Sequence, residues 1–161
     1  MANDSVVETF ARLVEHIAKR FLRGEVTLAD LLNLDDKEIE VEFLMGHYLY
    51  NYGKYQASLN VFSVLTLYKP YVSRYWRAAG ASNQALKKFN EAIVAYDMAL
   101  TTNLNDAISY TYRGEAKLSV GLENEGIEDL KMAVQTGGVH PFYAQWANRA
   151  KTLLKVRGLV A

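Results

Sequence analysis

An all-α solenoid is predicted by three observations. Few segments alternate with period 2, and only two prolines, Pro70 and Pro141, interrupt 161 residues. Small residues recur every 34 positions as Gly46, Gly80 and Gly114, and again as Ser58, Ala92 and Gly126. Apolar residues keep the same spacing as Phe62, Tyr96 and Leu130, and as Leu65, Ala99 and Ala133. A 34-residue unit with small residues where two helices cross, and a bulky one filling the gap between them, is the tetratricopeptide signature.

The elements follow in order. From about Asp4 to Leu22, Val6, Phe10, Leu13, Val14, Ile17 and Phe21 form one helical stripe, with Asp4 or Ser5 as cap and Gly24 as terminator. Thr27 caps a short helix bearing Leu28, Leu31 and Leu32, and Asp35-Asp36 opens the first repeat. The chain reads as a single domain: an N-terminal helical arm (1–38), repeats at 39–72, 73–106 and 107–140, and a C-terminal helix (141–161). Turns between paired helices fall at Gly53-Lys54, Lys87-Lys88 and Gly121-Leu122. Pro141 sits at the N1 position of a last helix, ending near Arg157, that covers the open apolar face of repeat three.

Composition excludes several functions. Net charge is zero, which gives no global case for nucleic-acid or membrane binding. No cysteine is present, so there is neither a disulfide framework nor a thiolate site. No run reaches the roughly 18 apolar residues of a membrane span, and no signal peptide is evident, so a cytoplasmic protein is expected. His16, His47 and His140 lie in separate elements without paired ligand spacing; no metal, cofactor or catalytic residue is expected. After Asp129 the charged residues are all basic, which suits either a helix C-terminal dipole or an acidic partner.

The scaffold points to binding. In each A helix, positions 5, 9 and 12 of the repeat share the face turned to the concave side. They are Phe43, His47 and Tyr50, then Arg77, Ala81 and Gln84, then Thr111, Glu115 and Leu118. Tyr55, Tyr68, Arg74 and Ile108 join them as neighbours. Seven of eleven tyrosines fall between Tyr48 and Tyr75, suited either to gripping an extended apolar peptide or to packing on the N-terminal helices. A carboxylate clamp needs a cation and an asparagine where this chain has Phe43 and His47, so that use is excluded.

The segments Phe21-Leu22-Arg23-Gly24-Glu25-Val26-Thr27, Tyr52-Gly53-Lys54-Tyr55, Phe62-Ser63-Val64-Leu65 and Ser73-Arg74-Tyr75-Trp76 resemble class II chaperones of type III secretion systems, the SycD/LcrH/IpgC type. The likeness covers roughly residues 20–135. It implies a non-enzymatic chaperone that holds a secreted translocator, or a related effector client, through a segment with spaced prolines and a leucine. The client-binding residues would be Phe43, His47, Tyr50, Tyr55, Tyr68, Arg74, Arg77, Gln84, Thr111 and Leu118. The family often dimerises through its arm, which would place Phe10, Leu13, Val14, Ile17 and Phe21 at a homodimer interface or, instead, on an intramolecular cap. Glu25 and Val26 replace family glycines, and Arg77 replaces a leucine. A generic tetratricopeptide adaptor is the alternative reading.

Overall fold

Every A-to-B turn is built by one left-handed residue, and these residues keep the sequence period. Gly53 (φ 72°), Lys87 (φ 61°) and Gly121 (φ 83°) each follow a helix end. The next amide then reaches back to an earlier carbonyl: Lys54 N to Leu49 O at 2.9 Å, Lys88 N to Asn83 O at 2.9 Å, and Leu122 N to Lys117 O at 3.0 Å. This is a Schellman closure, which satisfies carbonyls the helix end leaves unpaired.

The computed structural model describes residues 2–138 and 140–159, without the side chains of residues 2–7 and 10. The elements are α1 (Ala2–Leu22), α2 (Leu28–Leu31), α3 (Asp36–Asn51), α4 (Tyr55–Tyr68), α5 (Ser73–Ala85), α6 (Phe89–Thr102), α7 (Ala107–Ser119), α8 (Glu123–Gly137) and α9 (Ala144–Val156). Three antiparallel pairs, α3–α4, α5–α6 and α7–α8, stack in sequence, and α9 packs on α8 and α7. Among the described residues there is no strand.

Helix pairs meet where the small residues allow it. A Cβ on Gly46 would lie 2.5 Å from the Phe62 ring, and one on Gly80 would lie 2.6 Å from the Tyr96 ring. A Cβ on Gly114 would sit 3.1 Å from Leu130 Cγ. Phe62, Tyr96 and Leu130 are fully buried, so no ring or branch can swing aside. Ser58 adds a polar lock, donating to Gly46 O at 2.9 Å and lying 3.1 Å from Ser82 Oγ.

The ends differ from the sequence expectation. Helix α1 begins at Ala2, so Asp4 and Ser5 lie inside it and do not cap it; alanine there continues the helix. Gly24 does end α1, and its left-handed φ of 71° favours glycine there, with the exposed Tyr71 ring close above it. In α2 the cap on repeat one is Ala29, fully buried with Ile39, Phe62 and Leu65, while Leu31 and Leu32 face solvent. Thr27 caps α2 and Asp35 caps α3, both through capping boxes. Pro141 opens a single 3-10 turn (Pro141–Tyr143), with His140 Nδ1 accepting from Phe142 N, and α9 proper starts at Ala144. Ala147, Ala150 and Leu154 are buried in α9, the latter two in a cluster with Leu100, Tyr110, Leu130 and Ala133.

Helix α1, unlike α2, does not bury its apolar stripe on the solenoid. Leu13 is 54% exposed and Val14 49%, Phe21 is exposed, and Ile17 is half-buried. The side chains of Val6 and Phe10, the other members of the stripe, lie outside the described residues.

Gly80→Leu is expected to destabilise the protein by about 1–3 kcal/mol, the usual cost of overpacking. That corresponds to a loss of several degrees in Tm for a chain of this size. Thermal melts followed by circular dichroism check it, and an unchanged Tm would contradict the helix contact described here.

Candidate binding groove

Helices α3, α5, α7 and α9 line a concave face holding two adjoining hollows. The larger, about 410 Å³, is lined by His47, Tyr50, Gln84, Tyr96, Tyr112 and Arg149, among others. The smaller, about 240 Å³, is lined by Phe43, Arg74, Arg77, Ile108, Tyr112 and Trp146, among others. His47, Ala78, Ala81 and Tyr112 border both and join them into one groove.

Rings build the α3 side. Phe43 meets His47 edge-on at 4.5 Å and tilts against Tyr75 at 5.3 Å, while the Arg74 guanidinium lies 4.5 Å over its face. Such cation–ring contacts hold an arginine flat along an apolar wall. Tyr50 is half-buried and meets Tyr55 edge-on at 5.2 Å. Burial raises the Tyr50 hydroxyl above its ordinary pKa, with Tyr112 and Tyr55 adding to the effect, and the buried Tyr96 is raised further for the same leading reason. Both phenols are therefore neutral donors at physiological pH.

Each groove arginine has its own carboxylate. Arg74 bonds Glu40, Arg77 bonds Asp106 at 2.5 Å, and Arg149 bonds Glu115, through Nη2 at 2.8 Å. Gln84 ties two elements together: its Oε1 accepts from Tyr96 Oη at 3.0 Å and its Nε2 donates to Glu115 at 3.4 Å. Tyr112 stacks on Tyr96 at 6.2 Å beneath the Arg149 guanidinium. The groove is thus lined by rings, with its charges paired.

The structure brings Phe43, His47, Tyr50, Arg74, Arg77 and Gln84 to the hollows. Tyr55 supports Tyr50 from the side. Three sequence-predicted residues are elsewhere. Tyr68 packs against the core cluster around Phe62 and Leu65, because α4 turns that face inward. Thr111 is fully buried, donating to Ala107 O at 2.8 Å and reaching Trp146 O at 3.4 Å beneath α9. Leu118 packs against the cluster around Leu130, facing Gly126 of α8. The tyrosine cluster divides: Tyr75 is buried, Tyr50 lines the groove, and Tyr48, Tyr52 and Tyr71 are exposed.

Sequence reasoning missed Ala78, Tyr96, Tyr112, Trp146 and Arg149. A signal existed for two of them. Trp146 stands 34 residues after Tyr112, and Arg149 stands 34 after Glu115, so α9 continues the repeat count as a fourth A helix.

No family model matches the chain. Low calcium response locus protein H of Yersinia pseudotuberculosis is 24% identical over 135 residues, spanning 84% of this chain and 80% of that protein. A T3SS complex from Aeromonas hydrophila contains a chain that superposes with a TM-score of 0.83 at 26% identity, covering 87% of this chain and 93% of that one. The Yersinia enterocolitica type III secretion translocator chaperone SycD superposes with a TM-score of 0.77 at 23% identity, covering 81% and 97%. The chain is thus similar in sequence to low calcium response locus protein H and shares the fold of SycD. On a scaffold of stacked helix pairs, a binding site would lie in the side chains that face the groove. No helix among the described residues is long and apolar enough to cross a membrane, and none of their acidic or histidine clusters could hold a metal ion.

His47 gives a pH prediction. Its pKa is lowered from the ordinary 6.5 by burial, then by Arg77 and Arg74, with Glu40 opposing. As pH falls through about 6.5, the unfolded chain takes up the proton first and the folded chain resists. The His47 contribution is therefore complete above that value and is lost as pH falls through the lower folded one. NMR titration should place His47 below 6.5, the ordinary value given for it. Denaturant series should show a shallower acid-side loss of stability in His47→Gln.

Proposed function

We propose that this chaperone binds an extended, apolar segment of a secreted translocator in the groove, in the bacterial cytoplasm, before export, and performs no catalysis. The observation that carries this reading is the pair of joined hollows, ring-lined by Phe43, Tyr50, Tyr112 and Trp146, with every arginine already paired. Such a surface offers flat apolar contact and hydrogen bonds at low cost in side-chain entropy. An extended segment loses little freedom on docking. Structural relatives support it: SycD has been seen with a peptide of the translocator YopD, and PcrH with the chaperone-binding regions of PopD and PopB.

Phe43→Ala and Tyr50→Ala should each weaken binding of the client segment by about 1–3 kcal/mol, as loss of aromatic anchors does. Their melting temperatures should change less than their affinities. Calorimetric titration with segments that co-purify on co-expression checks this, and unchanged affinity in both variants would place the site elsewhere.

The arm carries a second part of the reading. Its exposed Leu13, Val14 and Phe21 form an apolar stripe that we assign, with Ile17 and Phe10, to contact with a second copy. SycD itself occurs in more than one dimer form. Leu13→Glu with Ile17→Glu should shift sedimentation from dimer to monomer while helicity stays nearly constant. A wild-type chain that stays monomeric at high concentration would overturn the dimer.

A further inference from the structure

The three groove arginines are not equivalent. Arg74 sets Nη1 and Nη2 on Glu40, and Arg149 sets Nε and Nη2 on Glu115. Arg77 uses Nη1 alone, on Asp106. Among the described residues its Nε and Nη2 have no hydrogen-bond partner, and no buried side-chain nitrogen or oxygen is unpaired, so both donors are open to water in the smaller hollow.

Asp106 is unusual as the partner. It is fully buried, and its carboxylate is held from several sides. Oδ1 accepts from Ile108 N at 3.1 Å and Ser109 N at 3.4 Å, which caps α7. Oδ2 accepts from Ser109 Oγ at 2.8 Å and Ser73 Oγ at 3.4 Å besides Arg77. A carboxylate fixed this way cannot swing to follow its arginine, so it fixes the guanidinium instead. One repeat earlier the equivalent residue is Val72, and one repeat later it is His140, so the device exists at a single junction.

We propose that Arg77 recognises a main-chain carbonyl of the bound segment, and that Asp106 is the residue that positions Arg77 and cancels its charge. This rests on the groove reading above. A charge-compensated guanidinium with two open donors suits a neutral acceptor. An acidic side chain arriving there would face Asp106 across the same group and would lose its hydration without gaining an unpaired cation. An extended segment presents carbonyls that lack partners within its own chain, and the surrounding Phe43, Ile108 and Trp146 exclude water from the bond. The groove would then read backbone at Arg77 and side chains in the ring-lined hollows.

The test uses the full chain and two synthetic ten-residue peptides, one uncharged with two prolines flanking a leucine, the other identical except for glutamate beside the leucine. Titrations are run at low and high sodium chloride. Wild type should prefer the uncharged peptide, with affinity nearly independent of salt. Asp106→Asn should reverse the preference and make binding of the glutamate peptide salt-sensitive, because a bare cation is then exposed. Arg77→Met with Asp106→Asn should lose about tenfold for the uncharged peptide and show no salt dependence, as removal of one charge-assisted hydrogen bond does. This double variant leaves no unpaired buried charge and serves as the deciding case if Asp106→Asn fails to fold. Wild-type preference for the glutamate peptide, or wild-type affinity in the double variant, would overturn the assignment while leaving the groove reading intact. Failure of wild type to bind either peptide would overturn both.

Discussion

Close approach of paired helices at Gly46, Gly80 and Gly114 sets the spacing on which the other features depend. The backbone at each glycine lies against a buried side chain of the partner helix: a methyl group at Gly46 or Gly80 would overlap the Phe62 or Tyr96 ring, and one at Gly114 would press on Leu130. Because the contact recurs every 34 residues, each helix pair closes in a similar way, and similar pairs stack into a solenoid with a regular turn from one to the next. That rotation turns the A helices toward a common concave side. Tyr96 shows the coupling directly: its ring fills the gap at Gly80 while its hydroxyl reaches Gln84 at the groove. A side chain that holds the fold together is also part of the site's wall.

Electrostatics is arranged differently inside and outside the groove. Ion pairs on α1, such as Lys19 with Glu15, are exposed, and pairs of that kind add little stability. The groove pairs join different elements: Glu40 of α3 to Arg74 of α5, and Glu115 of α7 to Arg149 of α9. Both span 34 residues, so they act as ties between successive A helices at the solenoid period. In repeat three, Arg113 bonds both oxygens of Asp129 at 2.5 and 2.8 Å, and Lys117 reaches the same carboxylate at 3.0 Å. The low exposure of that network makes the loss of one partner more costly than its intact presence is stabilising.

Most of the fold was legible because it is periodic. Small residues, turn residues and bulky residues repeat at one spacing, and each has a steric reason for its position. The groove was legible in repeats one and two, where Phe43, His47, Tyr50, Arg77 and Gln84 follow from helical geometry alone. In repeat three the expected Thr111 does not line the hollows, because α9 packs beside α7 and covers it; Tyr112 lines them beside the expected Ile108. Tyr68 failed for a related reason: a tyrosine's amphipathic ring reads equally well as wall or as core, and its environment decides. Ending the repeat count at residue 140 hid Trp146 and Arg149, although continuing it by one unit would have placed both.

That fourth A helix bounds what the groove can hold. Four neighbouring helices at about 8–10 Å between axes span roughly 25–30 Å. An extended chain advances about 3.1 Å per residue, so the concave face accommodates on the order of eight to ten residues. Trp146 and Arg149 stand at one limit of this run, whereas at the other Phe43 and Tyr50 lie on α3 with no further repeat beyond them among the described residues. A longer chain would therefore rest on the face along one stretch of about that length, with the remainder outside the groove.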